Sequence, residues 1–94
     1  MSAEPKIFAL GHVVATPGAL HAIGFAGEDP GRYLARHAAG DWGEVDPEDA
    51  SANDLAREVG ERLFSAYTLQ SGTRIWIITE ADRCSTCILL PEEY

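Results

Sequence analysis

The chain has 94 residues, with 7 basic against 15 acidic side chains, a formal net charge of −8, and 46% hydrophobic and 23% charged positions. That length suits one domain with one modest core and leaves no room for a large ligand cavity beside it. The charge disfavours direct nucleic-acid binding and anionic membrane surfaces, and no apolar run approaches the roughly 20 residues of a membrane span.

The first ten residues lack the basic and long apolar segments of a secretory signal, so a cytoplasmic location is expected, with two cysteines kept reduced. Residues 7–10 and 12–15 predict a short N-terminal edge strand. Three helix starts then repeat one device. Thr16-Pro17, Asp29-Pro30 and Asp46-Pro47 each set a capping side chain before a proline at the first helical position. The first helix spans 17 to about 25 with Ala19, Leu20 and Ile23 inward. The second spans 30 to about 39, with Tyr33, Leu34, His37 and Ala38 on one side and Gly40 as its stop. A third runs from 47 to about 59 and ends at Gly60. Its apolar positions Ala52, Leu55, Ala56 and Val59 fall at i, i+3, i+4 and i+7, which predicts one stripe facing the core.

Beyond Gly60 the period changes. Residues 63–69 and 74–79 are rich in aromatic and β-branched side chains and are joined by Gln70-Ser71-Gly72-Thr73, a hairpin loop. A third such run, 86–90, stops at Pro91. These runs predict a three-stranded antiparallel C-terminal meander. The fold class expected is α+β, one domain over 1–94, with three short helices on one face of a small antiparallel sheet. Fraying is expected at residues 1–5 and 92–94.

The search for chemistry returns little. Cys84-Ser85-Thr86-Cys87 has the spacing of a metal or redox pair, but it enters a strand and lacks a second ligand pair, so Cys84 and Cys87 are weak metal candidates. The glycines spell neither a dinucleotide fingerprint nor a phosphate loop, no nucleophile elbow occurs, and no cofactor is expected. What stands out is charge placement. Asp41, Glu44, Asp46, Glu48, Asp49, Asp54, Glu58 and Glu61 face Arg57 alone between 41 and 61, so nearly all the excess negative charge sits in one stretch. Beside it Trp42, between acids and glycines, reads either as a lid over the core or as an exposed anchor.

Taken together, FALGHVVATPGAL, ARHAAGDWGEVDPED, SAYTL, GTRIWIITEADR and ILLPEEY resemble a family of small bacterial proteins carried on plasmids and other mobile elements. Its members are often labelled plasmid-related proteins or type I restriction-system subunits. The resemblance runs from about Phe8 to Tyr94 and implies no catalytic residue; 94 residues cannot house a methyltransferase domain. The expected function is a non-catalytic acidic binding protein. Its candidate partner-binding residues are Asp41, Trp42, Glu44, Glu48, Asp49, Asp54 and Glu58. They would meet a basic surface on a host protein or protein–nucleic acid complex of the restriction or CRISPR kind, with no direct nucleic acid and no membrane. Two alternatives stay open: a small ligand-binding or enzymatic site near His37, Asp41 and Arg83, and a homodimer with a structural or regulatory role.

Overall fold

The computed structural model describes residues 6–94 and contains a four-stranded mixed sheet with three α-helices. In chain order these are β1 (His12–Ala15), α1 (Pro17–Phe25), α2 (Pro30–Ala38), α3 (Pro47–Val59), β2 (Leu63–Thr68), β3 (Arg74–Thr79) and β4 (Ser85–Leu89), followed by a 3₁₀ turn at Pro91–Glu93. The fold is α+β, as the alternation of helical and strand periods predicts, and the extra N-terminal strand is present. Fraying at residues 1–5 lies outside the described residues. At 92–94 the 3₁₀ turn brings Tyr94 against Trp76, ring centroids 5.6 Å apart.

All three caps form as the sequence dictates. Thr16 accepts from the Ala19 amide, Asp29 from that of Gly31 and Asp46 from that of Asp49, each at 3.0 Å. Every one of these helices has proline in its first turn. Gly60 ends α3 in the left-handed region at φ 78°, where a side chain would be strained.

The sheet order is β1-β4-β3-β2. The C-terminal meander is antiparallel, whereas β1 joins β4 in parallel, pairing Val13 with Thr86 and Ala15 with Ile88. The sheet is therefore mixed, not wholly antiparallel. Because all three helices intervene between β1 and the meander, the chain returns to β1 from the far side and can add β4 in the same direction.

One sheet face carries Tyr67, Leu69, Ile75, Ile77 and Ile88, which pack against Ala19 and Ile23 of α1 and Tyr33 of α2. Contrary to the sequence pattern, Leu20 is exposed. The larger correction concerns α3, which flanks the β2 edge instead of covering the sheet face. Its buried residues are Asn53 and Ala56, while Ala52, Leu55 and Val59 are exposed. The cause is the backbone of β2. As the outermost strand it has unpaired groups on its outer side, and the Asn53 amide supplies partners: Nδ2 donates to the Phe64 carbonyl at 2.6 Å and Oδ1 accepts the Phe64 amide at 3.1 Å. Turning Asn53 inward turns the Leu55–Val59 stripe outward.

Farther along the same edge, the Ala66 amide donates to the Trp42 carbonyl (3.1 Å) and the Glu44 amide to the Ala66 carbonyl (2.7 Å). Gly43 lies between them so close that a Cβ there would sit 2.1 Å from the Ala66 carbonyl oxygen. Glycine is required at this position by contact as well as by its φ of 74°.

Candidate functional site

The acidic stretch divides according to which of its carboxylates the protein itself engages. Asp41 accepts Arg36 Nε at 2.7 Å, and this charged hydrogen bond holds its carboxyl below the usual carboxylate range. Trp42 is a lid: it is buried, stacks on Phe8, meets the His37 ring edge-on, and donates its indole N–H to Asp54 at 3.1 Å. Glu44 accepts the Thr68 hydroxyl at 2.6 Å and lies 3.6 Å from Arg74. Asp46, Glu48, Asp49, Asp54, Glu58 and Glu61 form no ion pair among the described residues.

Three of these carboxylates, Glu48, Asp54 and Glu58, border the apolar stripe on the outer face of α3, Asp54 while also accepting the Trp42 indole N–H. Glu48, Ala52, Leu55 and Val59 follow one another at i, i+4, i+7 and i+11, so they line one side of the helix. The Asp54–Glu58 file runs alongside. Leu55 is 61% and Val59 58% exposed, values uncommon for the only large aliphatic residues of an amphipathic helix.

A second feature lies on the sheet face opposite α1 and α2. There Phe64 and Ala66 of β2 and Trp76 and Ile78 of β3 form a floor, with Phe64 and Trp76 packed edge to face at 5.0 Å between centroids. Glu44, Val45, Asp46 and Asp49 form one bank; Pro91 and Tyr94 stand on the other. Two adjoining cavities of about 320 Å³ and about 270 Å³ share Asp49, Phe64 and Trp76 and make one open groove. Arg74 stands at one end and Arg62 at the other; Arg62 donates to Glu80 at 3.2 Å and to the Tyr94 hydroxyl at 3.0 Å.

The residues of the enzymatic alternative sit apart from both features. His37 is fully buried between the sheet and α2. Its Nδ1 shares a hydrogen bond with Ser65 Oγ at 2.5 Å and its Nε2 one with Thr79 Oγ1 at 2.9 Å. The chain continues from Thr79 to Thr86 at 2.7 Å, and Thr86 Oγ1 donates to the Leu10 carbonyl at 2.7 Å. Burial, reinforced by the nearby Arg83 charge, lowers the His37 pKa to about 4, so the ring is neutral at pH 7. Arg83, itself at a positive φ of 61°, donates to the carbonyls of Ala56, Glu61, Glu80 and Ala81. It thereby closes the C-terminal end of α3, where a cation is favoured. With both His37 nitrogens engaged, Asp41 turned to Arg36 and Arg83 spent on carbonyls, the three have structural partners, and none lines the groove.

No known protein family, curated protein or solved structure matches the chain.

Among the described residues no group of three or more His, Cys, Asp or Glu side chains is placed to hold a metal. Cys84 and Cys87 are free thiols. Asp82 beside Cys84 raises its pKa, and burial raises that of Cys87, so both hold their protons more firmly than an ordinary cysteine and are poor nucleophiles. Sequence reasoning missed the groove. Its signal was present in the alternation: Leu63, Ser65 and Tyr67 face one way, yet Phe64, Ala66, Trp76 and Ile78 on the other side are also apolar, as in a sheet covered on both faces.

Proposed function

We propose that this chain is a non-catalytic binding protein that docks, through the outer face of α3, into an apolar groove rimmed by basic residues on a partner protein. The observation that carries this reading is the exposure of Leu55 and Val59 beside Glu48, Asp54 and Glu58, none of which has an ion-pair partner among the described residues. Burying two such aliphatic side chains at an interface is worth about 1.5–3 kcal/mol each. The surrounding carboxylates contribute mainly approach rate and choice of partner. The resemblance to mobile-element proteins supports a bacterial host partner. An acidic helix suits a surface built for phosphates, so the partner class proposed is a nucleic-acid-handling defence complex of the restriction or CRISPR kind, inhibited by occupation of its nucleic-acid channel.

The test uses the intact protein as bait in host lysate, with the double reversal Glu48→Lys/Glu58→Lys and, separately, Leu55→Ser. Asp54 is left in place because it holds Trp42. The expected result is a nucleic-acid-binding protein retained by the parent chain, lost from both variants, weakened by raising salt from 50 to 500 mM, and displaced by duplex DNA. Equal retention by both variants refutes the reading.

A homodimer is the second reading, favoured by the outer edge of β1. There Val13 and Val14 are exposed, and by the alternation of parallel pairing the Val13 and Ala15 backbone groups face away from β4. A solution mass of one chain at 100 μM removes this reading.

A further inference from the structure

From the groove between the first turn of α3 and the C-terminal turn we infer that the chain holds a second binding site, one that takes a lysine or arginine side chain of an extended peptide with an apolar neighbour. The two aromatic residues of the floor, Phe64 and Trp76, are only half-buried and lie edge to face, with buried Ile78 beyond them. One bank carries Glu44, Asp46 and Asp49. Glu44 is matched by Arg74 and Arg62 by Glu80, so Asp46 and Asp49 supply the uncompensated charge of the lining. Asp46 spends one oxygen on the α3 cap, and the Asp49 carboxylate makes no hydrogen bond among the described residues although it borders both cavities.

The complementary ligand has a long aliphatic stem ending in a cation. The stem lies across the Trp76 and Phe64 rings, the cation reaches Asp49, and ring quadrupole and carboxylate favour the same charge. A neutral apolar side chain would fill the floor but leave the acidic bank unanswered, and an anionic one would be repelled by it. The adjoining cavity over Ile78 and Tyr94, where Arg62 is already paired with Glu80, receives the peptide's next apolar residue. This site shares no residue with the outer face of α3, so either can fail alone.

The experiment titrates ¹⁵N-labelled full-length protein with acetyl-Ala-Lys-Leu-Lys-Ala-amide and with the same peptide carrying acetyl-lysine at both lysines. The two-dimensional amide spectrum is followed, including the Trp76 indole N–H. Expected are saturating shifts at Asp49, Phe64, Trp76 and Ile78, with the charged peptide binding at least fivefold more tightly than its acetylated form. That preference falls below twofold in Asp49→Asn, a surface change that leaves the fold intact. Equal affinity for the two peptides, no shift with either, or an undiminished preference in Asp49→Asn overturns the inference. Shifts confined to Leu55, Glu58 and Val59 overturn it too, while supporting the docking face.

Discussion

Protonation offers a direct measure of the buried histidine. In the folded chain the His37 pKa stands at about 4, against an ordinary 6.5. Between those values the unfolded chain binds a proton at this position and the folded chain does not, so stability must fall as the pH drops below about 6.5 and stop falling on this account near 4. The gap corresponds to roughly 3 kcal/mol, a large share of the stability of a domain this size. Other groups are separable by range. The lowered carboxyls of Glu28, Asp41 and Glu93 add stability that is lost progressively as pH falls from the ordinary carboxylate values through their lower folded-state ones. The interval from pH 6.5 to 4.5 therefore belongs mainly to His37. Urea denaturation followed by far-ultraviolet circular dichroism at half-unit steps should show a slope approaching about 1.4 kcal/mol per pH unit near pH 5. In His37→Gln, which keeps an amide to bond Ser65 or Thr79 but cannot titrate, that slope should vanish. The variant's stability at pH 7 should drop by about 1–3 kcal/mol from imperfect bonding. A flat parent profile from pH 6.5 to 4.5, or a slope that survives in His37→Gln, refutes the reasoning.

Three further outcomes are expected from the same architecture. Asn53→Leu leaves the Phe64 amide and carbonyl without their side-chain partner, so the urea midpoint should report a loss of about 2–4 kcal/mol, and light scattering should show concentration-dependent association through the opened β2 edge. Gly43→Ala forces a Cβ against the Ala66 carbonyl oxygen at a positive φ, and thermal melting should show a loss of more than about 2 kcal/mol. Leu55→Ser, by contrast, should shift stability by no more than about 0.5 kcal/mol, since a residue packed in the core would cost several times that.

Much of this fold was legible because local chemistry and global packing agree. The three capped Asp-Pro or Thr-Pro starts, the Gly60 stop and the two aromatic, β-branched runs set the helices and the hairpin without tertiary information. What could not be read was tertiary. The parallel partnership of β1 with β4 joins residues more than seventy positions apart, and nothing in HVVA specifies its neighbour or direction. The lid role of Trp42 was one of two open readings, decided only by the placement of Phe8, His37 and Asp54 around it. The groove was hidden because Phe64 and Trp76 read as ordinary sheet packing until α3 and the C-terminal turn are placed on either side.

The misreading of α3 is the most instructive, because the same fact supplies the proposed function. Periodicity assigns the side with Ala52, Leu55 and Val59 to the core, and on apolar area alone that side wins by several kcal/mol. The helix, however, lies against a strand edge whose amide and carbonyl at Phe64 need partners. A side with no polar group would leave both unanswered at about 1–3 kcal/mol each and would expose an edge open to association. Asn53 answers both groups at once, and Ala56 is small enough to let the helix approach. Arg83 then fixes the orientation by bonding the Ala56 carbonyl in the last turn of α3 and the Glu61 carbonyl just beyond it. Once Asn53 faces the edge, Leu55 and Val59 have to face solvent, with Glu48 and Glu58 beside them. Exposed aliphatic residues that the domain does not need for its own core can be spent on a partner at no cost to folding. That is why Leu55→Ser should separate binding from stability, and a Leu55→Ser protein that unfolds would show that the stripe belongs to the core after all.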